Sequence, residues 1–167
     1  MLYHFSEEKD ISIFKPRTPK TSVKPVVWAV DSEHALHYYF PRNCPRVIYW
    51  KTEHTTQQDL ASCFSGSSAD KIIVVESGWL EQIRETKLYK YTFEEASFEL
   101  FDANAGYYVS PEEVIPVCVE PIDDLLGKLV DENIELRFTP SLLPIRNRVA
   151  SSSLGFSIIR FNNAKIE

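Results

Sequence analysis

The side chains best suited to chemistry stand at the start of the chain. Leu2-Tyr3-His4-Phe5-Ser6 reads as a strand, and because side chains two apart point the same way, its polar members His4 and Ser6 share one face. An imidazole donates to or accepts from a ribose hydroxyl, and a serine Oγ bonds a carboxamide, so a cleft over that face would have both groups at hand. The competing reading is structural, since a histidine near a terminus is commonly packed or solvated. A second concentration follows at Pro41-Arg42-Asn43-Cys44-Pro45-Arg46, where two prolines stiffen a pair of guanidinium groups. Arginine forks match phosphate oxygens bidentately, and equally they pair with carboxylates, of which this chain has 24. Cys44 lies between the two arginines, a setting that lowers a thiol pKa when exposed and leaves an inert thiol when buried.

Other candidates carry less. His34 and His37 can share a helix face, but two ligands without a third make no metal site, and no metal is expected. Cys44, Cys63 and Cys118 are an odd number with no CxxC spacing, so reduced thiols are expected. Glu112 and Glu113 follow the apolar run Tyr107-Tyr108-Val109 as a pair of carboxylates just past a strand, where solvated loop acids are common.

The elements that must position these groups are short. Residues 1–5 and 26–30 read as strands, and a helix capped by Asp31 or Ser32 runs to Tyr39 before Pro41 ends it. Further strands are expected at 47–50, 72–75, 88–91, 107–109, 114–119 and 134–138, with a closing apolar run at 156–161. Helical turns fit 57–64 and the stretch after Ser77. The clearest helix is placed at Ile122, Leu125, Leu126, Leu129 and Val130, capped by Asp123 or a neighbour and stopped at Asn133. Pro140 and Pro144 mark a turn, and residues 15–25, which hold Lys15, Arg17, Lys20 and Lys24, read as a mobile basic loop. Many short strands with few long helices argue α+β, and the absence of a Gly-rich phosphate loop removes the usual dinucleotide folds.

Composition sets the outer bounds. At 167 residues, 44% hydrophobic and 25% charged, the chain is of ordinary globular make-up. A net charge of −6 repels nucleic acid, which is not an expected partner. No stretch approaches a membrane span, and the N-terminus is charged by Glu7 without an apolar leader, so a cytoplasmic protein is expected.

Tyr3-His4-Phe5-Ser6 resembles the strand that opens the His-Tyr-Glu class of ADP-ribosyltransferases and the related RNA 2′-phosphotransferases. Trp28-Ala29-Val30-Asp31-Ser32, followed by Tyr38 and Tyr39, is similar to that group's second strand and tyrosine-bearing helix. The resemblance implies two small, mostly antiparallel sheets around a cleft with short helices. The core would be residues 1–121, with 122–167 a C-terminal extension packed on it. It further implies NAD, or a related ADP-ribosyl nucleotide, as ligand. His4 would hold a ribose and Tyr39 (or Tyr38) would stack on nicotinamide. Glu112 (or Glu113 beside it), just past the strand, is the best match to the catalytic glutamate, while Tyr3, Ser6, Trp28, Arg42 and Arg46 would line the nucleotide. Phe5 departs from the pattern, standing where the group prefers glycine. Nearly end to end, the chain also resembles an uncharacterised bacterial family with the same His-Phe-Ser strand and Pro-Arg-x-Cys-Pro-Arg segment, which implies a fold and no activity. The expectation is therefore an ADP-ribosyltransferase-like enzyme or 2′-phosphotransferase, or else a non-catalytic small-molecule-binding or interaction domain.

Overall fold

A computed structural model describes residues 1–18 and 24–165. The chain divides into two compact units, each built from two stretches of sequence: Met1–Arg42 with Thr86–Asp123, and Asn43–Glu85 with Asp124–Glu167. Residues expected as an extension on a 1–121 core thus share a unit with 43–85. Both units are built on a mostly antiparallel sheet, and with four short α-helices the chain is α+β.

The first unit holds β1 (Leu2–Ser6), β2 (Val27–Val30), β5 (Leu88–Phe93), β6 (Glu99–Asp102), β7 (Tyr107–Ser110) and β8 (Cys118–Ile122). Their order across the sheet is β6-β7-β2-β1-β5-β8, every neighbouring pair antiparallel. One face carries the core, where Leu2, Val27, Ala29, Tyr91 and Phe93 meet Phe14 and Val114, themselves bridged backbone to backbone. The segment between β1 and Phe14 crosses this face and is stapled by Tyr91, whose hydroxyl donates to the Glu8 carbonyl at 2.6 Å and accepts from the Ile11 amide at 3.2 Å. Expected strand 114–119 divides: Val114 makes only its bridge, and β8 runs on to Ile122. β6 was not foreseen, being four exposed residues in which Glu99 and Asp102 break the apolar run.

The second unit holds β3 (Arg46–Trp50), β4 (Lys71–Glu76), β9 (Ile134–Thr139) and β10 (Gly155–Ile159) in the order β10-β3-β4-β9, with β4 and β9 parallel. Ile72 and Val74 join one cluster with Val47, Tyr49, Leu142 and Val149, while Ile73 and Val75 are buried on the other face. A strand covered on both sides reads as an unbroken apolar run. Four helices complete it: α1 (Gln57–Cys63), α2 (Leu80–Glu85), α3 (Leu125–Asp131) and α4 (Leu143–Ala150). Ile122 ends β8 instead of opening a helix. α3 is capped by Asp124, whose carboxylate accepts the Gly127 amide at 3.1 Å. α4 replaces the expected proline turn, because proline is tolerated in a helix's first turn.

The expected helix to Tyr39 is one 3₁₀ turn, Ala35–Tyr38, whose cap position is His34 without a side-chain cap bond, so neither Asp31 nor Ser32 caps it and Asp31 instead braces the turn before it. The Asp31 carboxylate accepts the His34 backbone amide at 2.9 Å and the His34 Nδ1 proton at 2.7 Å, while the Asp31 amide donates to the Gly106 carbonyl at 3.0 Å. Gly106 sits at φ +65°, and a Cβ there would stand 2.3 Å from His34 Nδ1 and 2.7 Å from Asp31 Oδ2. Gly106→Ala therefore combines a left-handed backbone with a clash against a hydrogen-bonded pair. It should lower stability by about 2 kcal/mol or more, read as an earlier urea transition in the first unit.

Candidate functional site

The first unit's sheet has a seam. β1 pairs with β5 through five residues and β2 with β7 through four, yet β1 and β2 share a single register pair, Tyr3 with Val30. Beyond it the ladder ends, and His4 Nδ1 stands 3.0 Å from the Trp28 carbonyl oxygen. A carbonyl only accepts, so Nδ1 carries the proton and Nε2 is left as an acceptor. Nε2 has no partner among the described residues, and because every fully buried side-chain nitrogen and oxygen among them has one, Nε2 is not completely enclosed. The ring packs edge-on against Phe14 at 4.9 Å.

Two arginines flank the open end of the seam. Arg17 is bridged backbone to backbone with Val26, immediately before β2. Arg42 is anchored beyond the end of β1, its amide donating to the Glu7 carboxylate at 3.0 Å. Both side chains are exposed, and neither guanidinium has a carboxylate partner among the described residues. Burial pushes the His4 imidazole below its ordinary value. The Trp28 hydrogen bond opposes this, and the charges of Arg42 and then Arg17 add to it. The corner thus consists of a neutral imidazole acceptor between two unpaired cations. Lys15 from the same basic stretch is spoken for by Glu113 at 3.4 Å, and Lys20 lies outside the described residues. Arg17 was visible in the sequence only as one cation of a basic loop.

The tyrosines are placed elsewhere. Alternation along β1 turns Phe5 away from His4, and it is Phe5 that meets the Tyr38 ring, stacked at 6.4 Å, and the Tyr39 ring at 5.3 Å. Trp28 belongs to this second face too, at 5.0 Å from Phe101 and 5.7 Å from Tyr107, and Tyr38 hydrogen-bonds the Tyr107 hydroxyl. Tyr3 lies under the Lys90 ammonium at 5.5 Å. His4 thus packs on one face of β1 against Phe14, while Tyr38 and Tyr39 pack against Phe5 on the other. Ser6 Oγ accepts the Glu8 amide at 3.1 Å. Glu112 is exposed on the turn after β7, its amide held by Ser110 Oγ at 3.2 Å. Ser110 pairs with Val27, which puts that turn at the Arg17 end of the sheet.

Arg46 and Cys44 belong to the second unit and are buried there. Arg46 Nη1 donates to the Cys44 carbonyl at 2.7 Å, so this guanidinium serves the backbone at the start of β3. The Cys44 thiol is pushed up to about 12: burial dominates, Arg46 opposes it, and Glu76 adds to it. The electropositive sequence setting loses to desolvation, and Cys44 is an inert thiol. Cys63 is buried and Cys118 exposed, and all three are free. No group of three or more His, Cys, Asp or Glu among the described residues could hold a metal ion, and no helix among them is long and apolar enough to cross a membrane.

Fold and corner together define an α+β protein of two sheet-based units, the first with a cationic seam. A model of a family of unknown function, DUF6886, matches residues 3–164, and the chain belongs to that family. No curated protein and no solved structure matches the chain, and these comparisons lend no support to a likeness to ADP-ribosyltransferases.

The His4 environment has a consequence for stability. Its folded-state pKa lies below the ordinary 6.5 of the unfolded chain, so the unfolded state takes up the proton first as pH falls. The stabilisation is present above 6.5 and is lost as acidification proceeds through the folded value. His4→Gln, whose amide can still donate to Trp28, should show a smaller loss of stability than wild type between about pH 7.5 and about pH 5 in urea titrations.

Proposed function

We propose that the first unit binds an ADP-ribosyl nucleotide such as NAD, with the pyrophosphate on Arg17 and Arg42 and a ligand hydroxyl donating to His4 Nε2. The observation that carries this reading is the pair of unpartnered guanidiniums flanking an imidazole acceptor at the open end of the β1–β2 seam. Two arginines without carboxylates around a neutral histidine suit an anion with an adjacent donor, and charge-assisted bonds to phosphate are the strong kind. The aromatic groups on the opposite face contribute no stacking beside His4 in this reading.

Binding without transfer is favoured by Glu112. A carboxylate that stabilises an oxocarbenium-like state works best in a water-excluded position, and Glu112 is exposed on a turn. The protein is accordingly read as a nucleotide-binding module, with ADP-ribosyl transfer as the reading that nicotinamide release would support.

Calorimetry and thermal melts with NAD, ADP-ribose and nicotinamide separate these possibilities. NAD and ADP-ribose should both bind and nicotinamide should not. At a hundredfold excess over the dissociation constant, binding adds about 2.7 kcal/mol of stability. Arg17→Gln and Arg42→Gln should each weaken binding by about tenfold or more while leaving the unliganded melt within about 0.5 kcal/mol of wild type. Absence of any response to NAD or ADP-ribose at millimolar concentration would remove the reading.

A further inference from the structure

A groove of about 610 Å³ lies on the core face of the first unit's sheet, on the β5–β8 side and apart from the β1–β2 seam. Its floor is apolar. Tyr89 of β5 pairs with Pro121 of β8, and Val119 lies two residues before Pro121, so the three side chains share one face of neighbouring strands. Ile11 closes the side facing the core, where it packs against the buried cluster.

The wall is the segment Lys9-Asp10-Ile11-Ser12, fixed over the sheet by the Tyr91 hydroxyl through Glu8 and Ile11. A wall pinned on both sides of Lys9 and Asp10 is formed before any ligand arrives. Charge on the rim is balanced but unevenly used. Lys87 is paired with Asp123 at 3.2 Å, whereas Lys9 and Asp10 have no side-chain partner among the described residues. Ser12 adds a hydroxyl. One free ammonium and one free carboxylate beside an apolar floor match a small zwitterion with a hydrophobic side chain, and the volume falls in the range of small-molecule sites.

We propose that this groove binds a free hydrophobic amino acid, its carboxylate on Lys9, its ammonium on Asp10 and its side chain over Tyr89, Val119 and Pro121. An anion alone would leave Asp10 repelling it, and a cation alone would leave Lys9 doing the same. The amino acid satisfies both, which makes the pair a selector for the zwitterion.

Amide NMR of the full chain titrated with L-phenylalanine tests this, with phenylpropionate, which lacks the amine, and phenethylamine, which lacks the carboxylate, as matched probes. Saturable shifts confined to residues 9–12, 87–89, 119 and 120 are expected with L-phenylalanine, and each one-charge analogue should bind about tenfold more weakly or worse. Lys9→Gln and Asp10→Asn, both at exposed positions that need not perturb folding, should each weaken L-phenylalanine to the same degree. Arg17→Gln should leave it unchanged. No saturable shift at about 10 mM L-phenylalanine, a concentration well above the dissociation constants of small-ligand sites, would overturn the proposal. Analogues that bind as tightly as the amino acid would overturn it equally.

Discussion

The first unit depends on how one backbone carbonyl finds a donor. Its six strands form two blocks, β6-β7-β2 and β1-β5-β8, each internally well paired, joined by the single register pair Tyr3–Val30. Where the ladder ends, the Trp28 carbonyl would lack a partner, and leaving a buried acceptor unmade costs more than the bond itself is worth. His4 supplies the proton from its side chain. That bond fixes the tautomer, leaves Nε2 as an acceptor and ties β1 to β2 beyond the last ladder pair, with Arg17 and Arg42 attached near that end. The features of the corner follow from that one substitution of a side-chain donor for a ladder bond.

The segment Pro41–Arg46 shows how burial decides between identical chemistries. Arg42 and Arg46 are equivalent in sequence, yet the boundary between the two units falls directly after Arg42. Arg42 stays exposed at the seam, whereas Arg46 is buried and donates to the Cys44 carbonyl. Cys44 repeats the lesson. An adjacent guanidinium favours the thiolate, but desolvation favours the neutral thiol more strongly, and the balance lies with the thiol.

The sequence disclosed the strands whose residues are apolar on one or both faces, β1 to β5, β7, β9 and most of β10, because period and run length report burial directly. It did not disclose β6 or α4, whose polar residues hide the pattern, nor that the C-terminal stretch completes a unit begun at residue 43. At the site, alternation along β1 was enough to pair His4 with Ser6 and to set Phe5 opposite. It could not show that Tyr38 and Tyr39 follow Phe5, because that depends on how the 3₁₀ turn docks. Arg17 was missed as a partner of His4, since only the bridge to Val26 brings it to the seam. Membership of the family of unknown function fits the chain-wide likeness read from the His-Phe-Ser strand and the proline-arginine segment.

His4 is a neutral Nδ1–H imidazole held by the Trp28 carbonyl, with Nε2 left to accept. Long-range nitrogen–proton NMR correlations of the His4 ring at neutral pH read this state directly. A protonated Nδ1 and an unprotonated Nε2 are expected, with the ring remaining neutral as pH falls through the ordinary histidine value of 6.5. An Nε2–H tautomer, or an imidazolium already formed at neutral pH, would contradict it.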